Sequence, residues 1–154
     1  MIDAPYAMSL SSAAREIAIG ALTARALAEA QLQRIVATDQ AIEAWAHLDP
    51  GHVRRMADRC DASSDTGSLR GIGVGVKDII DTADLPTEMG CAVYAGRRPR
   101  DNAECINRLQ HAGGYVFGKT VTTALAFLDP GKTRNPWNAS HTPGGSSSGS
   151  AAAV

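Results

Sequence analysis

The first third of the chain repeats apolar residues with the period of an α-helix. After Thr23 the apolar positions fall three and four apart, and the charged side chains between them lie on the opposite face. These apolar positions are Ala24, Leu27, Ala28, Leu32, Ile35 and Val36. The pattern predicts an amphipathic helix capped by Thr23.

Two further helices are predicted on either side of it. Residues 9–20 carry a helical apolar face, with Ser11 or Ser12 as the cap and Gly20 as the end. Asp49-Pro50 opens another helix over about residues 50–60, because proline suits the first turn. A weak alternation of apolar and polar residues over 44–48 predicts a short strand directly before the helix that begins at Asp49-Pro50.

Beyond a polar loop at residues 61–71 the period changes from that of a helix to that of a strand. Ile72, Val74 and Val76 lie two apart, which predicts a strand with glycines on its other face. Glycines in a strand indicate that something approaches the backbone closely. Lys77 falls on the glycine face, whereas Asp78 points to the opposite one and is a poor ion-pair partner for it.

The sequence after the loop at residues 61–71 also predicts a helix followed by another strand. Asp101 is the expected cap, with Glu104 as its capping-box partner, and Gly113-Gly114 ends the helix. A buried strand over residues 115–117 and a turn over residues 118–120 follow. This rhythm predicts the α/β class, with a helical section over residues 1–65 and an α/β section over residues 66–154.

Composition narrows the classes of partner. The chain has 44% hydrophobic and 20% charged residues and a net charge of −1, as in ordinary globular proteins. Neither nucleic acid nor an anionic membrane is therefore an expected partner. The N-terminus lacks a signal-peptide pattern, and no apolar run approaches the ~20 residues that span a bilayer.

The cysteines and histidines show no metal-binding spacing. Cys60, Cys91 and Cys105 are odd in number and far apart, which favours a reduced, cytoplasmic setting. The histidines are expected to be surface or structural residues. We predict no metal and no cofactor.

A loop rich in glycine and serine covers residues 141–150 and runs into an alanine segment. It is either a flexible tail or a shaped loop that leads into a helix capped by Ser148 or Ser150. Pro143 before two glycines favours the shaped loop. Backbone N–H groups at such a junction suit polar ligands.

Residues 113–120 fit the phosphate-loop pattern G-x-x-x-x-G-K-T. That pattern is meaningful after a strand and before a helix, but here a helix precedes it. Its middle residues include Tyr115, Val116 and Phe117, which favour a strand. Nucleotide binding through Lys119 is therefore the weaker alternative.

Lys77 and the serine loop together permit proton-transfer chemistry. A lysine inside a sheet loses solvation, and burial disfavours the charged form of an amine. A neutral amine beside a hydroxyl can act as a general base. The residue types permit such a pairing without identifying the serine.

Several motifs together resemble those of the amidase signature family. They are Gly75-Val76-Lys77-Asp78, Asp81-Thr82-Ala83-Asp84-Leu85-Pro86-Thr87, Gly118-Lys119-Thr120, Asn135-Pro136-Trp137-Asn138 and the segment Thr142–Ala153. The resemblance runs from about Thr23 to Val154. It implies the family's fold: N-terminal helices, then the first part of a mixed β-sheet flanked by helices.

The resemblance also implies roles for individual residues. Lys77 corresponds to the family's catalytic lysine, and Ser146 to the bridging serine on a cis peptide bond. Gly144, Gly145, Ser147 and Ser148 would complete the loop, with Ser147 supporting the hydroxyl network. The implied reaction is hydrolysis of a small-molecule amide through an acyl-enzyme, without a cofactor or a membrane.

Two departures from the family pattern qualify this expectation. Ala124 stands where many members carry glutamate. The nucleophilic serine, which the family places in a second Gly-Gly-Ser loop, is missing from the sequence. We therefore expect the N-terminal part of an amidase, inactive alone. The alternatives are a non-catalytic fragment that needs a partner chain and the glutamine-hydrolysing component of a tRNA transamidase, and a homo-oligomer is left open.

Overall fold

The computed structural model describes residues 4–64 and 67–154. In that part of the chain, helices precede and flank a small sheet. The elements are α1 Leu10–Ala18, α2 Ala24–Ile42, β1 Trp45–His47, α3 Pro50–Ala62, β2 Gly73–Lys77, α4 Glu104–His111, β3 Tyr115–Thr120 and α5 Ser148–Ala153. Short 3-10 turns lie at Pro5–Ala7, Ala92–Tyr94 and Ala124–Ala126.

The strands form a mixed sheet in the order β1-β3-β2. β1 runs antiparallel to β3, with Trp45 opposite Thr120 and His47 opposite Lys119. β2 follows the same direction as β3, since Tyr115 N–H bonds to Ile72 O at one end and Asp78 N–H to Thr120 O at the other. The predicted α/β class is confirmed.

Contacts group the described residues into two compact units. The first comprises the chain up to Ala37, Asp49–Val74 and Cys105–Phe117. The second comprises Thr38–Leu48, Gly75–Glu104 and Gly118–Val154. The predicted boundary near residue 65 lies outside the described residues, and the division into 1–65 and 66–154 stays a prediction.

The first unit has an apolar core that uses part of the helical faces predicted from the sequence; Val36, predicted on the apolar face of α2, is instead 81% exposed. Its buried members are Ala13, Ile17, Leu22, Leu27 and Ile72. The predicted cap of α2 is confirmed, because Thr23 Oγ1 accepts the N–H of Ala26 at 3.0 Å. The Asp61 carboxylate accepts two further N–H groups of that first turn.

The start of α1 differs from the prediction. Its cap is Ser9, not Ser11 or Ser12, and Ser9 Oγ accepts the N–H of Ser12. Ser9 has the extended backbone that a cap requires, whereas Ser11 and Ser12 already lie inside the helix.

The start of α4 also differs. The helix begins at Glu104, so Asp101 does not cap it. The residues between them bind the loop after β2 instead, because Ala103 N–H donates to Asp81 O and Asn102 Oδ1 accepts from Ala83 N–H. Those contacts tie residues 102 and 103 to the loop after β2, and the helix begins directly after them.

The predicted turn at residues 118–120 is wrong, because β3 continues through it to Thr120. Pairing with β1 holds Lys119 and Thr120 in the strand. Gly118 is needed there because a Cβ would lie 2.9 Å from His47 O and 3.0 Å from a Trp45 ring carbon. This glycine marks a close approach rather than a turn.

The second unit buries an unusual number of polar side chains. They are Asp78, Thr82, Thr87, Lys119, Thr120, Thr122, Thr123, Thr133 and Ser148. Since buried polar groups are costly unless they are hydrogen-bonded, this interior depends on specific partners. No helix in the described part of the chain combines the length and apolarity needed to cross a membrane.

Candidate active site

The glycine-serine loop is a shaped structure that leads into α5. Gly144 has φ +84°, a conformation that favours glycine, and the Gly145–Ser146 peptide bond is cis. Backbone bonds join the loop to the residues after β3: Thr123 N–H donates to Ser146 O at 3.0 Å, and Gly149 N–H donates to Val121 O at 2.9 Å. The loop therefore has a fixed position within the second unit.

The structure brings together Lys77 and Ser146, which are 69 positions apart in the sequence. The amine of Lys77 donates to Ser146 Oγ at 2.6 Å. Lys77 is the last residue of β2, and its side chain is half-buried.

The glycine face of β2 explains how Lys77 reaches this position. A Cβ on Gly75 would lie 3.0 Å from Thr120 Cγ2 and 3.2 Å from the Trp45 ring. The expectation of a close approach to the strand backbone is confirmed. Because small residues precede Lys77 on this face, neighbouring side chains pack directly against the strand.

The serines that follow Ser146 point to different partners. Ser147 is exposed, and its side chain does not cap α5. Ser148 is buried and donates to Val121 O at 3.4 Å, whereas Ser150 Oγ pairs with Thr120 Oγ1 at 2.7 Å. The predicted capping by Ser148 or Ser150 is therefore wrong, because both hydroxyls bond to the end of β3 or to Val121 directly after it.

The second unit contains another lysine, Lys119, whose buried environment the sequence pattern did not predict. Lys119 is fully buried and donates to Ile80 O at 2.8 Å, Pro86 O at 3.2 Å and Thr87 Oγ1 at 2.6 Å. The carboxylate of Asp78 lies 3.5 Å from its Nζ. The sequence contained a signal of this burial, since Lys119 is the one charged residue in the run 115–121 and the remaining six residues are aromatic, small or β-branched.

Burial acts on both charged groups of this pair. It raises the pKa of the Asp78 carboxyl and lowers the pKa of the Lys119 amine. The attraction between the two charges shifts each pKa in the opposite direction to burial. Nearby, the guanidinium of Arg97 lowers the pKa of Asp81 through a bond of 2.7 Å.

Comparison with known proteins identifies the family of the chain. The model of the family described as Amidase matches residues 26–154. A glutamyl-tRNA(Gln) amidotransferase chain of Chloroflexus aggregans is 41% identical over 157 residues, covering 96% of this chain and 32% of that protein. A putative amidase, AmiB2, of Mycobacterium tuberculosis is 40% identical over 153 residues, covering 92% of this chain and 32% of its own.

Solved structures of amidases match the fold of this chain. The native peptide amidase of Stenotrophomonas maltophilia superposes with a TM-score of 0.90 at 34% identity, over 99% of this chain and 35% of that one. The chain thus spans about a third of the length of the relatives it matches. With the family match over most of its length, the chain belongs to the amidase family.

Proposed function

We propose that this chain is the N-terminal part of an amidase that hydrolyses a C–N bond in a small amide. The observation that carries the proposal is the 2.6 Å bond from Lys77 Nζ to Ser146 Oγ. Family membership supplies the reaction class. We assign the nucleophile to a serine outside this sequence.

In the proposed reaction, the nucleophilic serine attacks the amide carbonyl and transfers its proton through Ser146 to the amine of Lys77. The C–N bond then breaks, and the nitrogen leaves as ammonia or an amine after taking up that proton. Water next attacks the acyl-enzyme, releases the carboxylic acid and restores the serine hydroxyl. No cofactor takes part.

We infer that the loop residues Gly144, Gly145, Ser147 and Ser148 support this relay in different ways. The two glycines allow the backbone path, and a Cβ on Gly145 would lie 2.8 Å from Thr123 Cγ2. Ser148 fixes the loop from its buried side. Ser147 is exposed, so we place it beside the substrate.

Replacement of either member of the pair in the full-length protein tests the proposal. Lys77→Ala and Ser146→Ala are each expected to lower kcat by about 10²- to 10⁴-fold, as for loss of general acid–base catalysis. Lys132→Ala is the matched control, because that lysine has half its side chain exposed. Thermal unfolding should show that all three variants are folded, and near-normal turnover in either pair variant would contradict the assignment.

A tRNA transamidase component is the second candidate, since several relatives carry the name glutamyl-tRNA(Gln) amidotransferase. It predicts release of ammonia from glutamine that depends on partner chains, whereas a stand-alone amidase needs none. A non-catalytic fragment that binds a partner chain is the third. It predicts that the native protein, isolated with its bound chains, hydrolyses neither a small amide nor glutamine, which distinguishes it from the other two.

A further inference from the structure

Lys119 and Asp78 are charged residues in the interior of the second unit. Lys119 is 0% exposed and Asp78 2% exposed. Lysine and aspartate are almost never fully buried unless they are paired. Removing one member of such a pair leaves the other as an unpaired charge that water cannot reach, which strongly destabilises the fold. The contacts of the pair indicate what it does in this protein.

Counting hydrogen-bond donors shows which form of Lys119 the site holds. Its Nζ contacts three acceptors, which are Ile80 O, Pro86 O and Thr87 Oγ1. Thr87 gives its own proton to Ile80 O, so its oxygen accepts from the lysine. A neutral amine has two N–H groups and an ammonium has three, so the three acceptors select the ammonium.

Asp78 completes the charge balance. Its carboxylate lies 3.5 Å from Lys119 Nζ and accepts the N–H of Glu88 at 3.2 Å. The other charges near the pair are those of Asp81 and Arg97, which form their own bond. The buried pair is therefore close to neutral overall and is surrounded by backbone dipoles.

The acceptors of Lys119 all belong to the segment that directly follows Lys77. Asp78 begins that segment, and Met89 N–H returns to Asp78 O at 2.9 Å. The N–H of Asp78 also donates to Thr120 O at 3.0 Å, next to Lys119 in β3. The ammonium thus contacts residues near the start of the segment 78–89 and residues near its end, and it connects both to the end of β2.

We propose that Lys119 is a positioning residue whose buried ammonium keeps the end of β2 in place, so that the amine of Lys77 stays on Ser146. The proposal rests on the proposed function of Lys77 and Ser146. It gives the lysine of the Gly-Lys-Thr motif a task distinct from nucleotide binding and from proton transfer. Arginine cannot take over, because its planar guanidinium does not match a compact set of three acceptors.

The test separates positioning from stability in the full-length protein. Lys119→Met leaves Asp78 as an unpaired buried charge, so it lowers both Tm and kcat. Lys119→Met with Asp78→Asn removes both charges but does not restore the three bonds. We expect the double variant to recover most of the loss in Tm, yet to keep a kcat about 10- to 100-fold below wild type with KM nearly unchanged.

A chemical readout makes the test independent of turnover. The 154-residue sequence contains three lysines: Lys77, the fully buried Lys119 and the exposed Lys132. Competitive acylation with acetic anhydride, read by mass spectrometry, measures the modification of Lys77 against that of Lys132. Loss of the 2.6 Å contact with Ser146 is expected to raise this ratio several-fold in the double variant.

Two further variants complete the design. Thr87→Val keeps the side-chain volume and removes one acceptor of Lys119, so it replaces the lysine variants if those fail to fold. It should lower kcat and raise the acylation ratio of Lys77 to Lys132. Val53→Ala, a fully buried position of the first unit, is the control for general destabilisation. It is expected to lower Tm without changing the acylation ratio.

The outcomes decide between the two roles. Recovery of kcat and of the acylation ratio together with Tm in the double variant would overturn the proposal, because Lys119 would then serve stability alone. An unchanged ratio with Thr87→Val would also overturn it. If wild-type protein hydrolyses no amide, the proposed function fails, and the acylation ratio still decides whether Lys119 positions Lys77.

Discussion

Gly149 brings α5 into close approach with the backbone of Ala44 and Val121. A Cβ at this position would collide with Ala44 O and with Val121 N. Both of these are backbone atoms, and Val121 N–H already donates to Ala44 O at 2.9 Å. No side-chain rotation can therefore make room, and the loop that carries Ser146 depends on this glycine.

Gly149→Ala is accordingly expected to lower the free energy of unfolding by about 3 kcal/mol, the upper end of the usual overpacking cost. Urea denaturation followed by circular dichroism measures it. Ala151→Gly in the same helix is the control, because Ala151 is exposed and its replacement costs about 1 kcal/mol of helix propensity. Equal losses in the two variants would count against the close approach.

The residues of the candidate site differ in how far the sequence predicts them. Lys77 and Ser146 could be proposed from the strand pattern and from a family resemblance. The partners of Ser148 and Ser150 could not, because Val121 and Thr120 lie 27 and 30 positions away. Local capping rules describe only neighbours in the chain, so they cannot anticipate a hydroxyl that a distant strand takes up.

At the scale of elements, Glu29 connects α2 with α3. Its carboxylate accepts from Arg25 at 2.9 Å within α2 and from Arg54 of α3 at 2.8 Å. These two guanidinium groups, with Arg54 the stronger, lower the pKa of Glu29 to about 2. The ionised form is therefore the one that the packed helices favour.

Glu29→Gln is expected to destabilise the protein by about 1 kcal/mol at pH 7, near the upper limit for exposed pairs, because a third of the Glu29 side chain is exposed. A lowered pKa gives stability that is complete above pH 4.5 and is lost as the pH falls toward 2. The difference between variant and wild type should therefore shrink over that range.

Thermal unfolding from pH 7 to pH 3 measures this prediction. Glu16→Gln is the control, since the carboxylate of Glu16 pairs only with its neighbour Arg15 in the described structure, at 3.4 Å. A difference for Glu29→Gln that stays constant down to pH 3 would show that the Arg54 bond does not join the two helices.

The elements were predictable to the degree that their signals are local. α2 and α3 begin at the expected residues because their caps, Thr23 and Asp49, stand next to the helices they cap. β3 was predicted too short, because Gly118-Lys119-Thr120 has the composition of a turn. Only the pairing with β1, more than 70 positions earlier, shows that the glycine makes room for a neighbouring strand.

At the scale of the whole molecule, the second unit exposes several large apolar side chains. They include Trp137 at 96%, Leu128 at 77% and Phe127 at 73%. The relatives are about three times as long as this chain. Apolar area of this kind commonly marks a surface that another polypeptide segment covers.

The 154-residue chain produced alone is therefore expected to self-associate and to bind a hydrophobic dye. Phe127→Ser with Leu128→Ser should reduce both effects, because the pair removes adjacent exposed apolar side chains. Val36→Ser is the control: Val36 is 81% exposed on α2, a single position. Sedimentation velocity at several concentrations measures association, and a monomer without dye binding at all concentrations would contradict the expectation.

The residues from Lys119 to Thr123 each have fixed partners, which restricts how the sequence can change in length: Lys119 bonds to residues after β2, whereas Thr120, Val121 and Thr123 bond to the glycine-serine loop and the start of α5. A single inserted residue there would break this register, so that either Lys119 would leave its acceptors or Val121 and Thr123 would lose their backbone bonds to the loop. Residues 135–141, in contrast, bond mainly among themselves at the surface. Insertions and deletions in related chains should therefore be tolerated at 139–141, beyond the Asn135-Pro136-Trp137-Asn138 motif, and be absent from 119–123.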